Sequence, residues 1–202
     1  MLPNGPDRPP AESDMRPGNR TNDPSAAYDR AMRVLYVCTG NICRSPTAEL
    51  LTTAFAKEAG RGELSAHSAG TRGMVGRPME PTAALVLRQL GGKPDGFVAR
   101  RLSPRIAQDA DLVITMAESH RGAVLQSAPR MLKRTFTLRE AARLQQLSGA
   151  ETVTELAAAR AQFPAPGPED VTDPIGRDED TFVAVGTEIA DLLLPLLARI
   201  HD

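Results

Sequence analysis

The sequence contains no tryptophan, 3% aromatic residues and only two cysteines among its 202 residues. Two cysteines five positions apart do not form the disulfide framework of a small secreted protein. No apolar run approaches the roughly 20 residues that span a bilayer, and the N-terminal residues lack the apolar stretch of a signal peptide. These absences predict a cytoplasmic protein whose interior is filled mainly by aliphatic side chains.

The chain also lacks an excess of charge of either sign, with 24 Lys and Arg against 25 Asp and Glu residues. The formal net charge is −1 and the isoelectric point is near 6.3, so neither nucleic acid nor a membrane surface is an expected partner. No cluster of Cys and His has the spacing of a metal site, and we expect neither a metal nor another cofactor. Hydrophobic residues make up 41% of the chain, which is enough for the core of one domain.

The first 30 residues contain six prolines and almost no large apolar side chains. Such a segment cannot bury enough surface to offset the entropy lost on ordering. The sequence therefore predicts a disordered N-terminal tail over residues 1–30 and one domain over residues 31–202.

Short apolar runs alternate with helical patterns throughout that domain. The predicted strands cover residues 34–37, 63–69, 112–114 and 133–137. The predicted helices begin at Ser45-Pro46 and Ser103-Pro104 and cover residues 81–90, 118–126, 138–147 and 151–162, with a last helix whose apolar stripe runs from Phe182 to Ile200. This alternation predicts an α/β fold with a central four-stranded parallel sheet and helices on both faces.

The ends and buried faces of the first and last helices can also be predicted. Ser45 is predicted to cap the first helix, with Pro46 at its first position. Gly60 and Gly62 are expected to end this helix. Its predicted inward face consists of Ala48, Leu51, Phe55 and Ala59. In the last helix, Leu192 is placed on the inward stripe, and Pro195 is expected to kink or break the helix.

Both cysteines lie in the sequence VCTGNICRSP, residues 37–46, directly after the first predicted strand. In a parallel sheet the ligand site lies at the carboxyl ends of the strands, and the N–H groups of such a loop and of the following helix N-terminus favour an anion. Arg44 adds a planar fork suited to phosphate oxygens. That positive field favours the nucleophilic thiolate form of Cys38, to which Ser45 can donate a hydrogen bond.

The remaining loop residues have backbone roles in this prediction. Gly40 is expected to adopt a conformation that other residues resist, and Asn41 to tolerate a left-handed conformation and hold the loop by hydrogen bonds. The sequence thus predicts a phosphate-binding loop, residues 38–45, after the first strand. Its phosphate-binding residues are Thr39, Gly40, Asn41, Ile42, Cys43 and Ser45.

Residues 34–50 (VLYVCTGNICRSPTAEL) resemble the active-site signature of the low-molecular-weight protein tyrosine phosphatases. Similar segments follow in family order: HSAGT, ADLVITMAESH, FTLREAARL and VTDPIG, so that the resemblance spans about residues 33–200. It implies hydrolysis of phosphotyrosine and other aryl phosphates through a phosphocysteine intermediate, and a phosphorylated protein or small aryl phosphate as the binding partner.

The resemblance also implies individual roles. Cys38 would be the nucleophile, Arg44 would hold the phosphoryl oxygens, and Asp173 would be the general acid and base. Without the resemblance, Asp173 is not separated from Asp170 or Asp178, which lie in the same proline-rich stretch.

Three further residues need an interpretation of their own. Cys43 either packs the loop or is a reserve thiol that could form a reversible disulfide with Cys38. His67 and His120 are predicted to be structural or surface residues rather than catalytic ones.

The chain departs from the family pattern near the substrate. Ile175 stands where many members carry an aromatic residue, residues 72–80 contain no aromatic at all, and residues 145–170 are longer than usual. Related arginine phosphatases tend to have threonine in place of Ile42, so Ile42 favours an aromatic ester over phosphoarginine.

Two further functions fit the same loop. One is an arsenate reductase of the same fold, although a thioredoxin-coupled reductase needs cysteines beyond the two present. The other is a module that binds phosphorylated ligands without turnover, which the presence of Cys38, Arg44 and a candidate acid makes the weaker prediction.

Overall fold

The computed structural model describes Met1 and residues 31–201. The described residues 31–201 belong to one compact unit, and the predicted disordered tail, residues 1–30, lies outside the described residues apart from Met1.

Four strands form a single parallel sheet. They are β1 (Met32–Cys38), β2 (Leu64–Gly70), β3 (Leu112–Thr115) and β4 (Thr135–Thr137), in the spatial order β2-β1-β3-β4. At the carboxyl end of β1, Val37 lies opposite Ala69 and Thr115, and Cys38 lies opposite Gly70. The predicted four-stranded parallel sheet is therefore confirmed, with the first strand at its centre.

Seven α-helices connect and follow the strands in the described part of the chain. They are α1 (Arg44–Glu58), α2 (Pro81–Gln89), α3 (Pro104–Gln108), α4 (Glu118–Ser127), α5 (Leu138–Ser148), α6 (Val153–Ala159) and α7 (Glu179–Arg199), with a 3-10 helix over Pro129–Arg134. Ser103 caps α3 as predicted, accepting the Ile106 N–H at 3.3 Å.

Alternate side chains of β1 enter two separate cores, as the period of a strand requires. Val34 and Tyr36 belong to the larger core, which also holds the buried faces of α1, α2, α5 and α7. Leu35 and Val37 belong to a smaller core on the other face, with side chains of α3 and α4. The helices thus cover both faces of the sheet, which leaves its carboxyl edge for the loop after β1.

The start of α1 differs from the prediction. The helix begins at Arg44 with Cys43 at the cap position and no side-chain cap bond, so that Ser45 and Pro46 lie within the first turn. Ser45 does not cap because its hydroxyl bonds Cys38 and Asn41 instead. Pro46 is tolerated there because the first N–H groups of a helix have no helical partner.

The predicted buried face of α1 is confirmed at Ala48 and Leu51, but the prediction is wrong in the second half of the helix. Its buried apolar and polar members include Leu51, Thr52 and Ala56, whereas Phe55 is half-buried and Ala59 is exposed. Thr52 is buried because its hydroxyl bonds the Tyr36 hydroxyl at 2.6 Å, a contact that apolar periodicity does not predict.

Near the C-terminus, α7 continues through Pro195 and is not broken. Pro195 lies on the exposed side of the helix, where water can satisfy the carbonyl group that proline leaves without a helical N–H. Leu193, rather than the predicted Leu192, is fully buried on the inward face.

By length and composition α7 could cross a membrane, with a mean hydropathy of 1.6, but 44% of that window is buried. Because α7 packs against α1, α2 and α5, it is a core helix of this fold.

The fourth strand is shorter than predicted. Lys133 and Arg134 belong to the 3-10 helix, and β4 begins at Thr135. The helix predicted over 151–162 ends at Ala159.

Candidate active site

The predicted phosphate-binding loop leaves β1 at Cys38 and enters α1 at Arg44. The Cys38 sulfur is 2.9 Å from the Ser45 hydroxyl and accepts the Asn41 N–H at 3.3 Å. Because the Asn41 amide already donates to Ser45 Oγ at 3.0 Å, the Ser45 proton is free to point at the sulfur. The loop therefore presents two hydrogen-bond donors to the Cys38 sulfur.

Asn41 determines the shape of the loop. Its φ of 57° is the only positive φ of a non-glycine residue in the described part of the chain. Its amide nitrogen also donates to the Ser68 hydroxyl at 2.7 Å, and its amide oxygen accepts the Arg100 N–H at 2.8 Å. Both roles predicted for Asn41, the left-handed backbone and the locking hydrogen bonds, are confirmed.

The prediction for Gly40 is wrong. Gly40 has no positive φ, and a Cβ atom built there would come no closer than 3.5 Å to the Ile42 side chain, an ordinary contact. The unusual backbone angle falls on the next residue because the Asn41 side chain offsets its cost with hydrogen bonds.

Two residues that sequence reasoning missed extend the network away from the sulfur. The Ser68 hydroxyl donates to Glu49 Oε2 at 2.5 Å, so that hydrogen bonds connect Glu49 to Cys38 through Ser68, Asn41 and Ser45. Burial raises the pKa of the Glu49 carboxyl, and the Ser68 hydroxyl acts in the opposite direction. The available signal was HSAGT at the end of the second strand, because β2 pairs with β1 beside the loop.

Arg44, the first residue of α1, is only 5% exposed. Its Nη1 donates to the Val171 carbonyl oxygen at 3.0 Å, and its Nη2 forms an ion pair with Asp173. Asp173 also accepts the Ile175 N–H at 3.2 Å, and its side chain is about half exposed. The structure thus brings the predicted nucleophile, arginine and acid to one place.

The two competing carboxylates have other partners. Asp170 accepts the first N–H of α4, that of Glu118, at 2.7 Å. Asp178 caps α7 by accepting the Thr181 N–H at 2.9 Å and the Thr181 hydroxyl at 2.5 Å. Both therefore stabilise helix N-termini.

His120 is buried beside the loop, which its sequence environment did not indicate. Its Nε2 is 2.9 Å from the Thr39 hydroxyl, and its Nδ1 has no hydrogen-bond partner among the described residues. Burial and the Arg44 guanidinium lower the pKa of His120 to about 4, so the ring is neutral at neutral pH. His67, by contrast, is exposed on β2.

Cys43 belongs to the larger core, as Cys38 does. It is 4% exposed and lines a small cavity with Val86 of α2 and Phe182 of α7. Burial, followed by the Glu80 carboxylate, raises the pKa of the Cys43 thiol. Both cysteines are free thiols, and the packing role predicted for Cys43 is present.

The mouth of the site has an aliphatic rim. Met74, Val75 and Ile175 are 46%, 67% and 50% exposed, and the Met74 N–H donates to the Gly40 carbonyl oxygen at 2.9 Å. Across the described residues, no group of three or more His, Cys, Asp or Glu side chains could hold a metal ion.

A family model described as low molecular weight phosphotyrosine protein phosphatase matches residues 33–151. Among curated proteins, the low molecular weight protein-tyrosine-phosphatase Wzb of Escherichia coli (strain K12) is 39% identical over 98 residues, which are 48% of this chain and 63% of Wzb. The match to Wzb thus spans less than two thirds of that protein. The corresponding phosphatase Ptp of Acinetobacter johnsonii is 33% identical over 105 residues, which are 52% of this chain and 70% of Ptp.

Solved structures agree over a longer part of the chain. A low molecular weight protein tyrosine phosphatase from T. tengcongensis has a TM-score of 0.65 at 30% identity, covering 83% of this chain and 97% of that one. The YwlE arginine phosphatase from Geobacillus stearothermophilus has a TM-score of 0.62 at 26% identity, covering 83% and 91%.

Proposed function

The chain belongs to the low molecular weight phosphotyrosine protein phosphatase family, and we propose that it hydrolyses phosphotyrosine and other aryl phosphate monoesters through a phosphocysteine intermediate. One observation carries the proposal. The Cys38 sulfur accepts hydrogen bonds at the base of the loop, and Arg44 of the same loop is buried and paired with Asp173.

In the first step, the Cys38 sulfur attacks the phosphorus atom of the ester. A sulfur–phosphorus bond forms while the bond from phosphorus to the phenolic oxygen breaks, and Asp173 gives a proton to that oxygen. The ion pair between Arg44 and Asp173 supports this assignment because it places the carboxyl group beside the arginine that would hold the phosphoryl oxygens.

In the second step, water attacks the phosphorus atom of the intermediate. The Asp173 carboxylate takes a proton from that water, the sulfur–phosphorus bond breaks, and the Cys38 thiolate and inorganic phosphate are released. The overall reaction consumes one ester and one water and requires no redox partner.

The phosphoryl group would be bound mainly by backbone N–H groups of the loop and by the Arg44 guanidinium. The dipole at the N-terminus of α1 also favours an anion at this place. The residues that we assign to this binding are Thr39, Gly40, Asn41, Ile42, Cys43 and Ser45.

The aliphatic rim supports an aromatic ester. Met74, Val75 and Ile175 offer apolar contact to a phenyl ring. Because they are not aromatic, they lack a stacking contribution of roughly 0.5–1.5 kcal/mol.

Phosphoarginine hydrolysis is the second candidate because arginine phosphatases are among the structures similar to this chain. Ile42 argues against it. Its half-buried side chain packs against the apolar core. Because that side chain is a hydrocarbon, it offers a guanidinium group no hydrogen-bond acceptor.

Steady-state kinetics on four compounds test the proposal: a small aryl phosphate, a phosphotyrosine peptide, a phosphoarginine peptide and arsenate with a thiol reductant. We expect kcat/KM to be highest on the phosphotyrosine peptide. A higher value on phosphoarginine would favour the second candidate, and turnover of none of the phosphate esters would contradict the proposal.

A further inference from the structure

Two stretches of backbone lie directly against the phosphate-binding loop on the β2 side; we call residues 70–77 and 97–102 together the basic rim. The Arg72 N–H donates to the Thr39 carbonyl oxygen at 2.9 Å, and the Gly70 N–H donates to the Arg100 carbonyl oxygen at 2.9 Å. A Cβ atom on Gly73 would lie 2.2 Å from that same Arg100 oxygen. The stretches are therefore packed backbone against backbone, which fixes the positions of their side chains relative to the loop.

The basic rim contains arginines and no acidic residue. Arg72, Arg77 and Arg101 are exposed, and none of them forms an ion pair or a side-chain hydrogen bond with any of the residues that the structure describes. Arg100 differs, because its Nε donates to the Ser68 carbonyl oxygen at 2.6 Å. Three of the four arginines thus present their charge to solvent beside the entrance to the site.

The opposite side of the loop has the opposite charge. Residues 169–180, the acidic segment, contain six Asp or Glu residues and one Arg. Glu169 and Asp173 are paired with Arg143 and Arg44, which leaves four carboxylates without a basic partner among the described residues. The Val171 N–H donates to the Met116 carbonyl oxygen at 2.8 Å, just after β3. Because β1 lies between β2 and β3 in the sheet, the basic rim and the acidic segment lie on opposite sides of Cys38.

From this arrangement we propose that the site prefers phosphotyrosine peptides with acidic residues on one side of the phosphotyrosine only, namely the side that faces the basic rim. The inference rests on the proposed function and names its substrate class. Arg72, Arg77 and Arg101 are specificity residues in it, and they take no part in the chemical steps.

The distances involved are short enough for such selection. An extended peptide advances about 3.3 Å per residue, so its first three residues on either side lie within about 10 Å of the phosphotyrosine. That distance equals the Debye length at 0.1 M salt, so charges on these residues are only partly screened from charges around the site. Opposite charge attracts one flank of the peptide to the basic rim, and like charge repels the same residues from the acidic segment.

The experiment compares three phosphotyrosine peptides of equal length. One has neutral flanks, one has three Asp or Glu residues before the phosphotyrosine, and one has them after it. We expect one acidic peptide to exceed the neutral peptide about 10-fold in kcat/KM at low salt, since each exposed ion pair contributes about 1.4–5-fold. The advantage should shrink strongly at 0.5 M salt because exposed charges are screened.

The triple variant Arg72→Gln/Arg77→Gln/Arg101→Gln should lose this preference while turning over a small aryl phosphate within about 2-fold of the wild-type rate. The matched control is Arg130→Gln/Arg134→Gln, which removes two exposed arginines of the 3-10 helix before β4, at the opposite end of the sheet. It should keep the preference.

Equal kcat/KM on the neutral and both acidic peptides would overturn the inference, as would a preference that survives in the triple variant. An equal gain from both acidic peptides would overturn the one-sided arrangement. If the aryl phosphate is not turned over, the proposed function fails on its own. Fluorescence anisotropy of the same labelled peptides then decides the inference, which stands if one acidic peptide binds more tightly than the neutral one and falls if neither does.

Discussion

Arg44 and Asp173, 129 positions apart in the sequence, form a direct ion pair at the phosphate-binding loop. The second nitrogen of the same guanidinium donates to the Val171 carbonyl oxygen at 3.0 Å. The fork that suits two phosphate oxygens is therefore directed at the segment that carries the proposed acid. A phosphate group in the loop would compete with Asp173 for Arg44 and leave the carboxyl group facing the ester oxygen.

Asp173→Asn should affect substrates according to their leaving groups. A phenolate with a pKa near 10 needs a proton as it departs, and general acid catalysis contributes about 10²–10⁴-fold. We expect a kcat/KM loss of that order on phosphotyrosine and a clearly smaller loss on an activated aryl phosphate. Steady-state kinetics over a series of aryl phosphates measures this slope.

The neighbouring carboxylates provide the controls. Asp170→Ala and Asp178→Ala each remove an acceptor at a helix N-terminus, so each should lower the free energy of unfolding by about 0.5–2 kcal/mol without a leaving-group effect. A large leaving-group effect at either position, and none at Asp173, would reassign the acid.

Cys38→Ser should abolish turnover and still bind vanadate or phosphate, because the backbone N–H groups and Arg44 remain. Isothermal titration and a turnover assay measure the two properties separately. Cys43→Ala, which leaves Cys38 in place, should keep turnover within a few-fold of the wild-type rate. Turnover by the Cys38→Ser variant at the wild-type rate would rule out the phosphocysteine intermediate.

Asn41→Ala should lower the free energy of unfolding by about 2–4 kcal/mol, because it loses buried hydrogen bonds and a side chain that tolerates the left-handed region. Gly40→Ala should be nearly neutral, since its added Cβ meets only ordinary contacts. Urea unfolding of both variants measures the difference. Similar losses in the two would contradict the assignment of the loop conformation to Asn41.

His120 should make the protein less stable as the pH falls. Its pKa is lowered to about 4 in the folded protein, against about 6.5 in the unfolded chain. Between these values the unfolded state binds more protons, so the free energy of unfolding decreases as the pH drops from 6.5 towards 4, by up to about 3 kcal/mol.

Urea unfolding at pH values from 4 to 7.5 measures this dependence. His120→Asn should flatten the slope between pH 4 and 6.5, whereas His201→Asn, at an exposed position, should leave most of it. An unchanged slope in His120→Asn would assign the acid sensitivity to other groups.

A Cys38–Cys43 disulfide remains a prediction, and the structure gives it a pH dependence. Attack on an oxidised Cys38 needs the Cys43 thiolate, and burial raises the pKa of that thiol. We therefore compare the wild-type protein with Cys43→Ala after oxidation by peroxide and then treatment with a reductant. The wild-type protein should recover slightly more activity than the variant at neutral pH, and this advantage should grow as the pH rises. Identical recovery of the two proteins at every pH would exclude a protective role.

The parts of the site that lie close together in sequence could be predicted from it. Cys38 and Arg44 share one strand–loop–helix unit, and the residue types of that unit already indicate an anion site. Glu49, Ser68 and His120 could not be found in this way. Their contacts with the loop depend on the pairing of β2 with β1 and on the packing of α4, which a periodic pattern does not specify.

The errors at the start of α1 have the same origin. Serine is a preferred helix cap, which is why the sequence predicts Ser45 as the cap of α1. Its hydroxyl group instead forms hydrogen bonds with the Cys38 sulfur and the Asn41 amide, which lie close to it only in the folded loop. Similarly, glycine is the usual residue for an unusual backbone angle, yet the side-chain hydrogen bonds of Asn41 place that angle one residue later.

Within residues 169–173, three attachments hold the chain before any ligand arrives: Glu169 bonds Arg143 at 2.6 Å, Asp170 bonds the start of α4, and Val171 lies between β3 and Arg44. The residue that we propose as the acid follows two positions later and thus belongs to a pre-organised surface. An inhibitor with an anion at the loop and an apolar ring against Met74 and Ile175 would have to displace Asp173 from Arg44, but it would lose little affinity to rearrangement of residues 169–171.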